Sequence, residues 1–264
     1  MNLFWRRGED VESEAVSGVL FHPFASMETG GLEATETDVG GGVSVGGLWR
    51  WREGTDDVAV FFHGNGETAA DWAALSADLS EAFGASVWLL DYRGYGRSAG
   101  RPSFGTMLAD AEAAWRDLGR FEAQRGRPFR KRFVMGRSLG SAAAIHVAWR
   151  FGGEVSGLVI DSGFAHLPAL VERLGGGRVK VRLPRGFRDN ADKLRECRMP
   201  TLLLHGAEDR IIPVAAAREN RAASGAANKR LEVVEGAGHN DLFWRGGTRY
   251  PDAIRRMAAG KSGQ

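Results

Sequence analysis

Cysteine is nearly missing from this chain. Cys197 is the sole one in 264 residues, which excludes an intramolecular disulfide and a four-thiolate zinc site. It reads as a partly buried small side chain. An excess of one charge is missing too: 35 Lys and Arg stand against 33 Asp and Glu, for a formal net charge of +2. That balance makes no electrostatic case for a nucleic-acid partner, and none is expected. No apolar run approaches the length of a membrane span. The opening MNLFWRRGEDVESEAV has a very short apolar run before its arginines and lacks the longer apolar stretch of a secretory signal. A cytoplasmic location is the expectation. Phe4, Trp5, Arg6 and Arg7 suggest a surface anchor, but they are too few for firm attachment, so no stable membrane insertion is expected.

What is present is ordinary soluble-domain composition, 43% hydrophobic and 26% charged, in a chain long enough to bury a substantial core. Residues 1–16 are polar and are expected to form a flexible lead, with 17–264 as a single domain. SGVLFHP (17–23) and VSVGGLWRWRE (43–53) read as short strands in antiparallel pairing. From residue 58 the pattern changes. Nearly continuous apolar runs appear at 58–64, 86–94, 132–136, 157–163, 201–206 and 230–236, as in strands buried on both faces. Helical segments lie between them, at 67–83, 104–125, 139–151, 213–224 and 248–259. The alternation predicts an α/β fold, a mostly parallel central sheet with helices on both faces. Residues 164–198 are too long for a simple connection and contain GGG and two prolines, which suggests a small cap insertion. Its Arg173, Arg178, Lys180, Arg182, Arg185 and Arg188 read as a solvated face rather than a site for an anionic substrate.

In open parallel sheets, ligands bind beyond the carboxyl ends of the strands. The strand ending at Met135 runs straight into Gly136-Arg137-Ser138-Leu139-Gly140 and then an Ala-rich helical segment. This is G-x-S-x-G in strand-turn-helix context, where glycines allow a turn too sharp for a Cβ and expose one hydroxyl. A serine needs a base, and the base needs a group to orient it. His239 in GAGHND follows the last strand, and Asp209 in HGAEDRIIP follows TLLLHG. The order Ser, Asp, His matches one of the serine-hydrolase chain orders. Plainer roles stand beside these: Ser138 as a small turn residue, Asp209 as a cap near Pro213, His239 as a satisfied core histidine. Glu208 and Asp161 are rival acids. An oxyanion needs waiting donors. The candidates are the backbone N–H of Leu139 and that of Asn65 in the glycine-rich loop His63-Gly64-Asn65-Gly66-Glu67.

HGNGE, DYRGYGRS, GRSLGS, HGAEDRIIP and GAGHND together resemble the α/β-hydrolase superfamily, in particular its serine-aminopeptidase-like or BEM46-like group, over roughly residues 42–259. The resemblance implies an α/β-hydrolase fold, Ser138 as nucleophile, Asp209 as acid, His239 as base, and Asn65 and Leu139 as oxyanion-hole amides. It implies a structural role for Asp91–Ser98. Some members of the group carry lipidated Cys-rich starts; residues 1–20 here contain no cysteine, so that attachment is not supported.

The expectation is a serine hydrolase acting on a small-molecule carboxylic ester or thioester, with no metal and no organic cofactor. A serine at the elbow argues against haloalkane dehalogenase and epoxide hydrolase chemistry, which uses aspartate there. Amide or peptide cleavage by the same fold, and a non-catalytic binding module retaining it, remain the alternatives. Oligomeric state is not encoded in any motif.

Overall fold

A computed structural model describes residues 9–260. In chain order its elements begin with β1 (Glu9–Asp10), α1 (Glu14–Leu20), β2 (Glu33–Asp38), β3 (Ser44–Arg50) and β4 (Val58–Phe62). Then come α2 (Ser76–Phe83), β5 (Ser86–Leu90), α3 (Phe104–Arg125), β6 (Arg132–Arg137), α4 (Gly140–Arg150) and β7 (Gly157–Asp161). The chain continues with α5 (Leu167–Leu174), β8 (Val181–Arg182), α6 (Asn190–Leu194) and β9 (Thr201–Gly206). It closes with α7 (Val214–Ala223), β10 (Lys229–Val234), α8 (Leu242–Gly246) and α9 (Arg249–Ala258).

Among the described residues the main sheet runs β10-β9-β7-β6-β4-β5-β3-β2. The steps from β10 to β5 are parallel, and β3 joins β5 and β2 antiparallel. Side-chain alternation explains why the central runs are apolar throughout. Val58, Val60 and Phe62 of β4 point into one core, with Val134, Leu158, Ile160 and Leu203 of its neighbours. Ala59 and Phe61 point into the other, with Phe133, Met135, Val159 and Leu202. Helices α3 and α4 cover the first face, and α2 and α9 the second. Helix α3 starts where its sequence says it should: Ser103 and Thr106 form a reciprocal capping box. On the antiparallel side Trp49 stacks on Trp88, ring centroids 5.3 Å apart, and closes the edge of the core.

The amino-terminal expectations need correction. The anchor candidates Phe4 to Arg7 lie outside the described residues. Residues 9–16, expected to be part of a flexible lead, are built into the fold: Val11 and Val16 are buried, and β1 pairs with β8. The stretch 17–23 is mostly helix rather than strand. Ser13 caps α1 by accepting the Val16 N–H, and Val16 and Leu20, one helical turn apart, fill the core side. The outer antiparallel partner of β3 is therefore β2, EATETD, an edge strand in which only Thr37 is buried. The expected helix over 67–83 breaks into a 3-10 turn, Ala70–Trp72, and α2.

The segment 164–198 leaves the carboxyl end of β7 and carries α5, β8 and α6. Arg173, Arg178, Lys180, Arg182, Arg185 and Arg188 are exposed. Arg188 pairs with Glu196, Arg173 donates to the Arg210 carbonyl at 2.9 Å, and Arg182 lies 3.9 Å from Asp10. Cys197 is buried, its thiol pushed up to about 12 by burial, as suits an inert core side chain. Among the described residues no helix is long and apolar enough to cross a membrane.

Candidate active site

The turn between β6 and α4 is as tight as the glycines require. A Cβ on Gly136 would sit 2.2 Å from the Gly140 carbonyl oxygen, and one on Gly140 would sit 2.3 Å from the Phe62 carbonyl oxygen. Strand, turn and helix therefore touch backbone to backbone, and no larger residue fits at either flank. At the apex Ser138 has φ +51°, in the left-handed region that a non-glycine residue occupies at a cost of about 1 kcal/mol or more. The surroundings hold it there. The Ser138 N–H donates to the Asp161 carbonyl at 2.8 Å, and Ser141 Oγ donates to the Ser138 carbonyl at 2.6 Å.

Three side chains distant in sequence meet above this turn. His239 Nε2 is 2.8 Å from Ser138 Oγ, and His239 Nδ1 is 2.7 Å from Asp209 Oδ2. All three are buried. Asp209 is fixed independently of the imidazole: its Oδ1 accepts the N–H groups of Ile211 and Ile212 at 2.8 and 2.7 Å. Burial alone would raise its pKa, but hydrogen bonds from His205 and His239, the charge of His239 and the Ile212 amide hold the carboxyl well below the usual carboxylate range. A carboxylate at Nδ1 favours the tautomer with its proton on that atom. Nε2 is then free to accept the serine proton.

Neither rival acid bonds His239, and three other histidines have partners of their own. Asp161 is engaged elsewhere, its two oxygens accepting Tyr250 O–H at 2.6 Å and Ser162 O–H at 2.8 Å, and Glu208 is exposed. His205 lies buried beneath Asp209 with Nε2 2.7 Å from the Ile212 carbonyl, and His146 pairs with Glu112 and is pushed down to about 4 by burial and Lys193. His166 bridges Asp189 and Glu219. The Asn65 loop lies against the elbow, since Gly140 abuts both Phe62 and His63. Among the described residues neither the Asn65 nor the Leu139 backbone N–H is engaged in a hydrogen bond.

Several contributors escaped sequence reasoning. Tyr95 O–H and the His22 N–H both donate to Asn65 Oδ1 at 2.7 Å, while Asn65 Nδ2 lies 2.7 Å from His22 Nδ1. Tyr92, in the same Asp91–Ser98 loop, donates to the His63 carbonyl at 2.7 Å. The Asn65 loop is thus clamped through its side chain, which leaves its amide where the turn sets it. Arg137 and Glu67 form a largely buried ion pair beside the elbow. A charged residue at the end of an otherwise buried strand was the available signal, because such a charge requires a partner.

Two hollows border the cluster. One of about 240 Å³ is lined by Phe164, Leu170, Arg173, Ile211, Ile212 and Pro213, so its wall includes the turn that holds Asp209. The other, about 180 Å³, lies between Trp72, Arg137, His239, Phe243 and Trp244.

A family model described as serine aminopeptidase, S33, matches residues 54–174 and 173–243. An uncharacterized protein of Mycobacterium tuberculosis (strain H37Rv) is 33% identical over 213 residues, 77% of this chain and 70% of the relative. Alpha/beta hydrolase domain-containing protein 17B of Xenopus laevis is 26% identical over 202 residues, 76% of this chain and 65% of the relative. Among solved structures, the esterase Pf2001 of Pyrococcus furiosus superposes with a TM-score of 0.70 at 19% identity, covering 90% of this chain and 99% of that one.

Proposed function

The chain belongs to the serine aminopeptidase S33 family of α/β hydrolases, and from that premise we propose that it is a serine hydrolase cleaving a carboxylic ester or thioester through an acyl-enzyme. The observation that carries the proposal is the unbroken chain Asp209–His239–Ser138, with separations of 2.7 and 2.8 Å, ending on a serine held at positive φ.

The chemistry follows from those atoms. Ser138 Oγ attacks the carbonyl carbon while its proton passes to His239 Nε2. Asp209 steadies the imidazolium from the other side. The carbonyl oxygen becomes an oxyanion and accepts the amides of Asn65 and Leu139, each donor worth about 3 kcal/mol in the transition state. Collapse of the intermediate expels the alcohol or thiol, which takes the proton from His239. Water then gives its proton to His239, attacks the acyl-serine and releases the acid, and the proton returns to Ser138.

The test is turnover of p-nitrophenyl esters of increasing acyl length by the intact protein and by Ser138→Ala, together with fluorophosphonate labelling. Turnover lost in the variant and a single adduct on Ser138 are expected. An unlabelled Ser138 would leave the fold as a binding module. Amide cleavage is the second reading, favoured by the peptidase description of the family. Matched ester, thioester and amide substrates separate the two.

A further inference from the structure

Arg137 ends β6 and directly precedes Ser138, and its side chain runs to the loops on either side of the elbow. It is 9% exposed. One arm of its guanidinium, Nη1, pairs with Glu67 Oε1. The other, Nη2, donates to the His239 carbonyl at 2.9 Å and to Asn240 Oδ1 at 3.0 Å. Glu67 in turn uses Oε2 to accept the Gly64 N–H at 2.9 Å and the Trp72 indole N–H at 3.0 Å. A Cβ on Gly64 would lie 2.8 Å from Arg137 Nη1, so the loop backbone rests against the guanidinium. Gly64 directly precedes Asn65, whose amide is the proposed oxyanion donor.

We propose that Arg137 and Glu67 are positioning residues that lock the Asn65 loop and the His239 loop into one rigid unit across the nucleophile elbow. The proposal rests on the serine-hydrolase reading for its kinetic consequence. His239 is then held at both ends: its ring between Asp209 and Ser138, its backbone carbonyl by Arg137. The same cation, through Glu67, sets the loop that supplies the Asn65 amide. A planar fork with two donor arms does this; an ammonium, a point charge, cannot span both loops. Stability alone is a poor reason to keep such a pair, since the desolvation of two charges offsets most of their attraction. Geometry is the better one, because base and oxyanion donors must keep a fixed mutual distance while charge develops between them.

The experiment compares the full-length protein with Glu67→Gln, Arg137→Met, Arg137→Lys and the Glu67→Gln/Arg137→Met double variant. Turnover of a p-nitrophenyl ester is measured per fluorophosphonate-titrated site, so unfolded protein does not count. Each single change should lower kcat at least ten-fold with KM altered less than three-fold. The double variant should lose no more than the worse single one, and Arg137→Lys should recover only part of the loss. Amide hydrogen exchange gives a readout independent of activity. Glu67→Gln should speed exchange at residues 239–241, on the opposite loop, at least ten-fold. Near-normal kcat per site in both single variants, or exchange rising only in the loop that carries the change, overturns the proposal. Should the wild-type protein take no fluorophosphonate, the serine-hydrolase reading fails by itself, and the exchange arm still decides whether the two loops are coupled.

Discussion

Replacing Asp209 with Asn changes one atom and should silence the site. The two oxygens of Asp209 face different partners. Oδ1 accepts two backbone N–H groups, from Ile211 and Ile212, at 2.8 and 2.7 Å. An amide nitrogen there would confront two donors, so in Asp209→Asn the amide oxygen takes that place. The NH2 group is then forced to the Oδ2 position, 2.7 Å from His239 Nδ1. A donor at that point needs Nδ1 as acceptor, so the single imidazole proton moves to Nε2, facing Ser138 Oγ across 2.8 Å. The ring now offers the serine a proton instead of taking one. A wrong tautomer of this kind costs about 10⁴ in kcat, or about 5.4 kcal/mol at 1.36 per decade. The assay is kcat for a p-nitrophenyl ester, with Glu208→Gln as the comparison because Glu208 is exposed and outside the chain of bonds. A second readout uses pH. The folded-state pKa of Asp209 is depressed, so its contribution to stability is present above about pH 4 and is lost as pH falls through the folded value. The stability deficit of Asp209→Asn should therefore be largest near neutrality and shrink in acid. A variant within ten-fold of wild-type kcat, or a Glu208→Gln that falls as far, refutes the tautomer argument.

Further substitutions test the local physics. Ser138→Gly should abolish turnover yet raise stability by about 1 kcal/mol, read as a higher Tm by calorimetry, because glycine removes the penalty of φ +51°. An unchanged or lower Tm would mean the turn is not strained. Gly140→Ala should cost about 3 kcal/mol, since its Cβ has a carbonyl oxygen at 2.3 Å, whereas Gly119→Ala within α3 meets nothing within 4 Å and should stabilise by about 1 kcal/mol. Urea unfolding of the two variants decides, and equal midpoints would defeat the contrast. Lys193 is buried and held at about 8 against an ordinary 10.5, chiefly by desolvation. Between those values the unfolded chain binds the extra proton, so wild-type stability should climb with pH. Lys193→Met should accordingly be the more stable protein at pH 7, with its advantage closing between pH 8 and 10.5; an advantage that does not vary with pH would count against the buried charge.

The parts of this molecule that were legible in its sequence are those in which one strand's own chemistry decides the outcome. β4, β6, β7 and β9 are covered on both faces, so each reads as an unbroken apolar run, and the residues just past the end of each run fall at the rim of the sheet. That rule alone reached Ser138 and Asp209, and His239 beyond β10. It failed where burial is one-sided or side chains from distant loops decide. β2 is an edge strand whose polar residues face solvent, so EATETD carries no apolar pattern to find. In α1 the buried pair Val16 and Leu20 sits among polar and small residues, and the short apolar stretch Val19-Leu20-Phe21 at its end resembled a strand. The clamp on Asn65 joins His22, Asn65 and Tyr95, which no spacing connects. Arg137 falls between the two cases. Arg137 is the last residue of β6 and Ser138 the turn residue after it, so the strand end that delivers a hydroxyl to the imidazole of His239 also delivers a guanidinium to that residue's carbonyl. The elbow motif specifies the first of these and leaves the second unspecified. A charge in that unspecified place, on a strand otherwise buried, is where the physics demands a partner, and the partner is found on the loop that carries the Asn65 amide.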